Sequence, residues 1–134
     1  MGQVRVIAAC CAGAAAVLTL AAAARPATLA ETSPGLWEMT GLPNSNAAAR
    51  QCVADTAALA ALEHRGQSCK QVVISDTPSS AVIEYTCANG GGFGRTKVTL
   101  LTPRSLRIET QGISAKFPFN YVVQARRIGE CPAH

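Results

Sequence analysis

Alternating apolar and polar residues predict strands in the C-terminal half of the chain. Between residues 105 and 111, Leu106, Ile108 and Thr110 alternate with charged or amide side chains, as expected of a strand with one buried face. The last predicted strand covers residues 117–128, and one of its faces is formed by Phe119, Tyr121, Val123 and Ala125. These two segments predict a domain that is rich in β-structure.

A hairpin is predicted over residues 69–87. Residues 70–75 and 81–87 are rich in Val, Ile and Tyr, and a run of turn-forming residues around Pro78 separates them. Folding about Pro78 predicts three facing pairs: Cys69 with Cys87, Val73 with Ile83, and Ile74 with Val82. A slip of one residue would move Cys69 to the opposite face from Cys87, so this register is testable.

Two more strands and one helix complete the predicted elements. Strands are expected around Trp37 and over residues 95–101. Residues 54–64 predict the helix, with Asp55 as N-cap and Gly66 as stop. Six strands and one helix indicate an α+β fold, a mainly antiparallel, twisted sheet with one helix packed on it.

The glycine run and the Glu63-His64 pair are both interpreted as structural features without a chemical role. The glycine run at residues 90–94 predicts a flexible connector, because Arg95 opens a strand and a phosphate loop opens a helix. Glu63 and His64 are adjacent on the predicted helix and therefore point in different directions. They are expected on its solvated face.

The cysteines fall into two groups. Cys10 and Cys11 lie in an apolar N-terminal stretch, and four others are spread through the rest of the chain. The hairpin register favours a disulfide between Cys69 and Cys87, which leaves Cys52 for Cys131. The gaps of 17, 18 and 44 residues between the four cysteines exceed the spacing of structural zinc sites. Two disulfides are therefore expected, with no metal and no cofactor.

Residues 1–30 have the layout of a secretory signal. Arg5 supplies the positive charge, and residues 6–20 form an uncharged apolar run. A retained membrane anchor is the alternative, but the run consists mostly of alanine, which partitions weakly into lipid. A cleaved signal predicts a periplasmic protein with no stable membrane span.

Two positions satisfy the need for small residues before the cleaved bond. Cleavage is possible after Ala24 or after Ala30. Ala30 is preferred because Pro26 would break the helix of the signal ahead of an extended cleavage segment. Residues 31–134 are then expected to form a single disulfide-bonded domain.

Composition narrows the function classes. The chain carries 12 basic and 8 acidic residues. Arg5 and Arg25 lie in the predicted leader, so the remainder has ten basic and eight acidic groups, a net charge of +2. No basic run remains, so nucleic-acid binding is not expected. A short chain with six aromatic residues has a limited core, which covalent cross-links would stabilise.

The chain resembles a known family at several points. Residues 34–38 read Pro-Gly-Leu-Trp-Glu, Cys52 precedes the short helix, and Cys69 and Cys87 flank the hairpin. In these features it is similar to the bacterial domain of unknown function 3617 family, across residues 33–131. The resemblance implies a small exported envelope protein with a disulfide-bonded, β-rich domain. It implies no catalytic residue.

The function expected from these features is binding without catalysis. The partner is expected to be a small apolar ligand or another envelope protein. Its possible surface consists of Trp37, Phe93, Arg104, Arg107, Phe119 and Tyr121. Two alternatives remain open. One is an envelope hydrolase that uses Glu84 or Glu109 with His64. The other is a structural protein that acts by adding a strand at a sheet edge.

Overall fold

The computed structural model describes Gly13 and residues 25–133. Apart from Gly13, the predicted leader before residue 25 lies outside the described residues, and so do Cys10, Cys11 and His134. The described part contains one short helix, α1 (Ala27–Ala30), a 3₁₀ helix (Thr56–His64) and seven strands. The strands are β1 (Gly35–Thr40), β2 (Ala49–Val53), β3 (Cys69–Asp76), β4 (Ser80–Cys87), β5 (Gly92–Thr102), β6 (Ser105–Ser114) and β7 (Phe117–Gly129).

All seven strands form one antiparallel sheet with the order β2-β1-β7-β6-β5-β4-β3. Strands β3 to β7 follow one another as a meander, and β1 lies between β2 and β7. The mainly antiparallel sheet is as predicted, with seven strands where about six were expected. The additional strand is β2, which follows an alanine-rich stretch that lacks the residues typical of strands.

The core lies on one face of the sheet, which we call the helix face. There the 3₁₀ helix and α1 pack on the middle strands. The apolar side chains buried between these layers include Leu29, Trp37, Met39, Leu59, Leu62, Ile83, Val98, Leu106, Ile108 and Val123. We call the opposite side the outer face, and its side chains are largely exposed.

The β3–β4 hairpin has the predicted register over most of its length. Cys69 faces Cys87 and Val73 faces Ile83. Val82, however, pairs with Ser75 rather than with Ile74, because the register shifts between Val73 and Ser75. The extra residue forms a β-bulge, a feature that bends a strand and interrupts its ladder.

The two predicted disulfides are confirmed. Cys69 is bonded to Cys87, and Cys52 is bonded to Cys131. The first bond joins the ends of β3 and β4. The second connects β2, an edge strand, to the segment that follows β7.

The predicted helix differs from expectation in type. Asp55 is the N-cap as predicted, and its side chain accepts a hydrogen bond from the Ala57 amide at 3.0 Å. The segment is 3₁₀ rather than α-helical, and Ala61 interrupts it with φ −132° and ψ 48°. His64 lies beyond this interruption and is buried, with 1% of its surface exposed, so it does not lie on a solvated face.

The glycine run is also more structured than a connector. Strand β5 begins at Gly92, so Gly92 and Gly94 are strand residues, and only residues 88–91 form the turn after β4. Glycine inside a strand marks a position where another group approaches closely. The groups that approach here define the site described next.

Candidate functional site

Two glycines and two aromatic rings form one row across four strands. Tyr85, Gly94, Gly112 and Phe119 are aligned in register from β4 to β7. A Cβ atom added at Gly94 would lie 2.5 Å from the Tyr85 hydroxyl oxygen, and one at Gly112 would lie 3.0 Å from Cζ of Phe119. Each ring therefore covers the glycine beside it. We call these four residues the glycine row.

His64 fills the space on the helix face of this row. Its ring centroid is 5.2 Å from that of Tyr85 and 5.8 Å from that of Phe119, and both contacts are edge-on. A Cβ atom at Gly92 would approach Nε2 of His64 to 2.8 Å. The imidazole thus occupies room that side chains at these positions would otherwise take.

The polar atoms of His64 are unequally satisfied. Nδ1 lies 3.0 Å from the Tyr85 hydroxyl oxygen, so the two groups share a buried hydrogen bond. Nε2 is buried and has no hydrogen-bond partner among the described residues. An unpaired buried polar atom costs free energy, so this position is held by the packing of the rings around it.

The second tyrosine, Tyr121, lies beside the His64 cluster, by which we mean His64, Tyr85 and Phe119. The Tyr121 hydroxyl donates a hydrogen bond to Oε2 of Glu63 at 3.0 Å. Burial raises the pKa of Tyr121, and this hydrogen bond to Glu63 raises it further. Burial also raises the pKa of Tyr85; the Thr110 hydroxyl works against that shift, and the Glu63 charge adds to it. Both phenols are therefore held in their neutral form.

A shallow trough opens on the outer face along the glycine row. Its volume is about 640 Å³. The backbone of the row forms the floor, because the Tyr85 and Phe119 rings point to the helix face, against His64. The trough is lined by Glu84, Tyr85, Thr86, Phe93, Gly94, Arg95, Gln111, Gly112, Ile113, Phe119 and Asn120.

The two sides of the trough differ in chemistry. One side is apolar and is formed by the neighbouring residues Phe93 and Ile113, which face each other across β5 and β6. Phe93 is 54% exposed, although phenylalanine is usually buried. The other side is polar, and there Arg95 contacts Glu84 at 2.6 Å. The trough can therefore contact apolar and charged groups at once.

A second depression continues from the polar side. Its volume is about 380 Å³, and it shares Arg95 with the trough. Lys97 lines it and forms no ion pair with any described residue. Across β4, β5 and β6, the outer face carries Arg95, Lys97 and Arg107 against Glu84 and Glu109. Positive charge is thus in excess beside the apolar side.

The structure separates the six residues that the sequence grouped as a ligand surface. Phe93 and Phe119 line the trough. Trp37 is fully buried in the core and takes no part in an exposed surface. Tyr121 is half-buried on the helix face, bonded to Glu63.

The two arginines of that group lie away from the trough. Arg107 is on the outer face, paired with Glu109 at 3.2 Å. Arg104 is in the turn between β5 and β6, at the other end of these strands. The alternation of residues along β5 and β6 is visible in the sequence and predicts which side chains share a face. It does not show that the trough lies at one end of these strands and Arg104 at the other.

The residues proposed for hydrolysis are on different faces. Glu84 and Glu109 lie on the outer face, and each is paired with an arginine. His64 is buried on the helix face. The sheet separates the histidine from both carboxylates, so this arrangement does not assemble an acid–base pair from them.

Arg95 and the two strand glycines are site residues that sequence reasoning missed. Gly94 and Gly112 had a detectable signal, because glycine is unfavourable inside strands and marks close approach. Arg95 had no comparable signal. In the described residues, no group of three or more His, Cys, Asp or Glu side chains is placed to hold a metal ion. The described helices are also too short to cross a membrane.

The edge of the sheet at β3 is a second exposed feature. Three consecutive apolar residues, Val72, Val73 and Ile74, are exposed to solvent, and 60% of the surface of Val72 is accessible. Strand β3 pairs only with β4. Proteins usually protect such edges with charges, proline or bulges. Here Lys70 and Asp76 lie near the ends of β3 and the bulge lies at Ile74, while Val72 and Val73 between them are apolar.

Comparison with known proteins gives one match. A family model described as "Protein of unknown function (DUF3617)" matches residues 32–131. No curated protein and no solved structure matches the chain. The matched region covers all seven strands and both disulfides.

Proposed function

Because this chain belongs to the DUF3617 family, whose function is unassigned, we propose its function from the geometry of the sheet. The protein is proposed to be an exported binding module that holds a small apolar ligand bearing an acidic group. The observation that carries this proposal is the trough on the outer face, where an exposed phenylalanine lies beside an excess of positive charge.

The apolar side supplies a contact surface for a hydrocarbon or a ring. Phe93 and Ile113 are neighbours across the strands, and both line the trough. Burying a phenylalanine side chain stabilises a complex by about 1.5–3 kcal/mol. Because Phe93 is already half-covered, the lower part of that range is expected.

The polar side favours a negatively charged group on the ligand. Arg95 is held over the trough by Glu84, and its guanidinium retains further N–H donors. Lys97 is the next cation along β5 and is free to pair. An acid group placed between them would make charge-assisted hydrogen bonds.

The scaffold around the trough is fixed before binding. The Cys69–Cys87 disulfide cross-links the ends of β3 and β4, and Cys87 faces Gly92 at the start of β5. The His64 cluster packs beneath the same strands. A preformed site loses less conformational entropy on binding. The two disulfides are also consistent with an exported, periplasmic protein.

The test uses 8-anilinonaphthalene-1-sulfonate, a fluorescent probe that combines apolar rings with a sulfonate. Phe93→Ala is expected to weaken its binding about tenfold, in line with a loss of about 1.4 kcal/mol. Phe117→Ala is the matched control, since Phe117 is 74% exposed and does not line the trough. Equal binding by the two variants would contradict the proposal.

Native mass spectrometry of protein gently purified from the periplasm tests for a natural ligand. Mass that is released on denaturation and absent from the Phe93→Ala variant would support the proposal. Ligand mass retained by that variant would place the ligand elsewhere. Arg95→Gln is expected to reduce affinity for the sulfonate probe more than for an uncharged apolar probe, which separates the two contributions.

A second candidate function is strand addition at β3, and one observation favours it. Ser68 accepts a backbone hydrogen bond from Ala88 at 2.9 Å. Because paired positions alternate along an antiparallel ladder, the backbone groups of Gln71 and Val73 point away from β4. These groups, beside exposed Val72, are available to an extended strand of another polypeptide.

This second candidate has its own test. Val73→Pro removes an outward N–H donor and leaves the β3–β4 ladder bonds in place, and Val73→Thr retains the donor. A photo-activated cross-linker at Val72 is expected to capture one defined partner protein, and capture is lost with Val73→Pro but not with Val73→Thr. Capture that survives Val73→Pro would exclude backbone pairing at this edge.

A further inference from the structure

Residues 25–30 are part of the folded body. Leu29 is fully buried in the core, and Pro26 and Thr28 are buried beside it. Leu29 packs in the same cluster as Leu59 and Ile83, which belong to the 3₁₀ helix and to β4. The segment that was assigned from the sequence to the end of the leader therefore supplies a core side chain.

Hydrogen bonds attach this segment to the β3–β4 turn. The Ala27 amide donates to Oδ1 of Asp76 at 2.8 Å, and the Thr28 hydroxyl donates to the Thr77 carbonyl oxygen at 2.8 Å. These contacts join residues 49 apart in the chain. They fix both the backbone and a side chain of α1 against the hairpin.

Further contacts attach it to the start of the 3₁₀ helix. The buried Thr56 hydroxyl donates to the Leu29 carbonyl oxygen at 2.8 Å. Arg25 contacts Asp55 at 3.2 Å. Removal of residues 25–30 would leave the Thr56 hydroxyl without this partner and would open a cavity at Leu29, and both changes are destabilising.

Pro26 has a structural role that the sequence did not reveal. It is the N-cap of α1, with φ −50° and ψ 139°. Proline is favourable at a helix start because its ring fixes φ and it has no amide hydrogen to leave unpaired. The residue that suggested a break inside a signal thus starts a helix of the folded domain.

We infer that the exported chain is processed at the Ala24–Arg25 bond, and that the mature protein begins at Arg25. Ala22 and Ala24 supply the small residues that a signal peptidase requires. The enzyme hydrolyses this amide: water gives its hydroxyl group to the Ala24 carbonyl carbon and a proton to the Arg25 nitrogen. This inference rests on export and not on the ligand.

The direct test is the N-terminus of the full-length gene product recovered from the periplasm. Intact-mass analysis and N-terminal sequencing are expected to show residues 25–134 with two disulfides. A chain that starts at Glu31, or one that remains uncleaved, would overturn the inference. Neither result depends on whether the trough binds a ligand.

Two matched substitutions sharpen this test. Ala24→Leu is expected to block processing and to leave the precursor uncleaved, because a large residue then precedes the bond. Ala30→Leu is the control, since Ala30 is exposed and is expected to leave processing unchanged. The opposite pattern would assign cleavage to the Ala30–Glu31 bond.

A stability measurement tests the structural half of the inference. Leu29→Ala is expected to lower the thermal midpoint of the mature protein by roughly 10 °C or more, because it opens a cavity in a small core. The matched control is Leu101→Ala, which removes the same atoms from an exposed position. Equal midpoints for the two variants would show that the Leu29 side chain stabilises the fold no more than an exposed leucine does, and would overturn the structural premise of the inference.

Discussion

Tyr85 and Tyr121 are the two tyrosines of the chain, and both are hydrogen-bonded between the 3₁₀ helix and the sheet. Burial raises the pKa of each phenol above the ordinary value of 10.0. A raised pKa in the folded state means that the folded protein binds these protons more tightly than the unfolded chain. The resulting stability is fully present below pH 10 and is lost as the pH rises toward the folded-state values.

We predict that the folded protein shows less tyrosinate absorbance at pH 10 than two exposed tyrosines would, since an exposed tyrosine is about half ionised at that pH. The free energy of unfolding should fall as the pH rises above 10, because each ionisation then favours the unfolded chain. Ultraviolet titration at 295 nm, with urea unfolding at several pH values, measures both effects. Half-ionisation of both phenols at pH 10 would show that they are exposed.

The burial of His64 could not be predicted from the residues next to it in the sequence. Its position beside Glu63 in a polar helix end gave no sign of burial. Its burial depends on Gly92, which approaches its Nε2, and on Gly94 and Gly112, which leave room for the Tyr85 and Phe119 rings that contact it. These glycines are visible in the sequence, but their joint position depends on strand register over long distances. Residue type alone therefore predicted the opposite environment.

At the scale of elements, the β6–β7 turn contains two residues in an unfavourable conformation. Ser114 pairs with Phe117, so Ala115 and Lys116 form a two-residue turn. Both have positive φ, 48° and 72°. Such turns favour Asn-Gly, because a side chain in the left-handed region costs about 1–2 kcal/mol per residue for most amino acids.

We predict that Ala115→Asn combined with Lys116→Gly increases the free energy of unfolding by about 1 kcal/mol, because the new residues accept positive φ at lower cost. Urea unfolding followed by circular dichroism measures the change. Ala47→Asn, in an exposed loop, is the control for asparagine content. No gain over this control would show that the turn adopts another geometry.

Strongly alternating elements were the most predictable. The burial of Leu106, Ile108 and Thr110 on one face of β6 follows directly from their spacing. Strand β2 was missed because only five residues form it, and Val53 alone among them is of a type enriched in strands. The bulge at Ile74 was missed for a related reason: it depends on how the hairpin twists rather than on residue type.

At the scale of the molecule, the two disulfides close loops of very different length. Cys69 and Cys87 are 18 residues apart, and Cys52 and Cys131 are 79 apart. In the chain-entropy model, stabilisation grows with the length of the closed loop. The longer loop includes strands β3 to β7, and its bond therefore restricts most of the unfolded chain.

We predict that replacing Cys52 and Cys131 by alanine lowers the free energy of unfolding by about 4.5 kcal/mol, against about 3 kcal/mol for Cys69 and Cys87. Urea unfolding of both double variants without reductant gives the comparison. The expected order follows from loop length alone. The reverse order would show that the short bond acts mainly through the folded hairpin.

The whole architecture was predictable only in part. The meander from β3 to β7 follows from successive hairpins, whose turns are local. The position of β1 between β2 and β7 is not local, because it joins residues more than 80 apart, such as Glu38 and Arg126. No short-range pattern specifies that contact. The trough could not be predicted for the same reason, because residues from four strands form it together.

The place of β1 in the sheet has a consequence for a chain that emerges N-terminus first. Strands β1 and β2 can pair with each other early, and β3 to β6 can pair as each is made, but the first pair joins the rest of the sheet only through β7, the last strand. During that interval Cys52 is a free thiol while Cys69 and Cys87 emerge, and each is a possible wrong partner. The nascent protein therefore requires either rapid closure of the β3–β4 hairpin or a disulfide isomerase to correct mispaired intermediates.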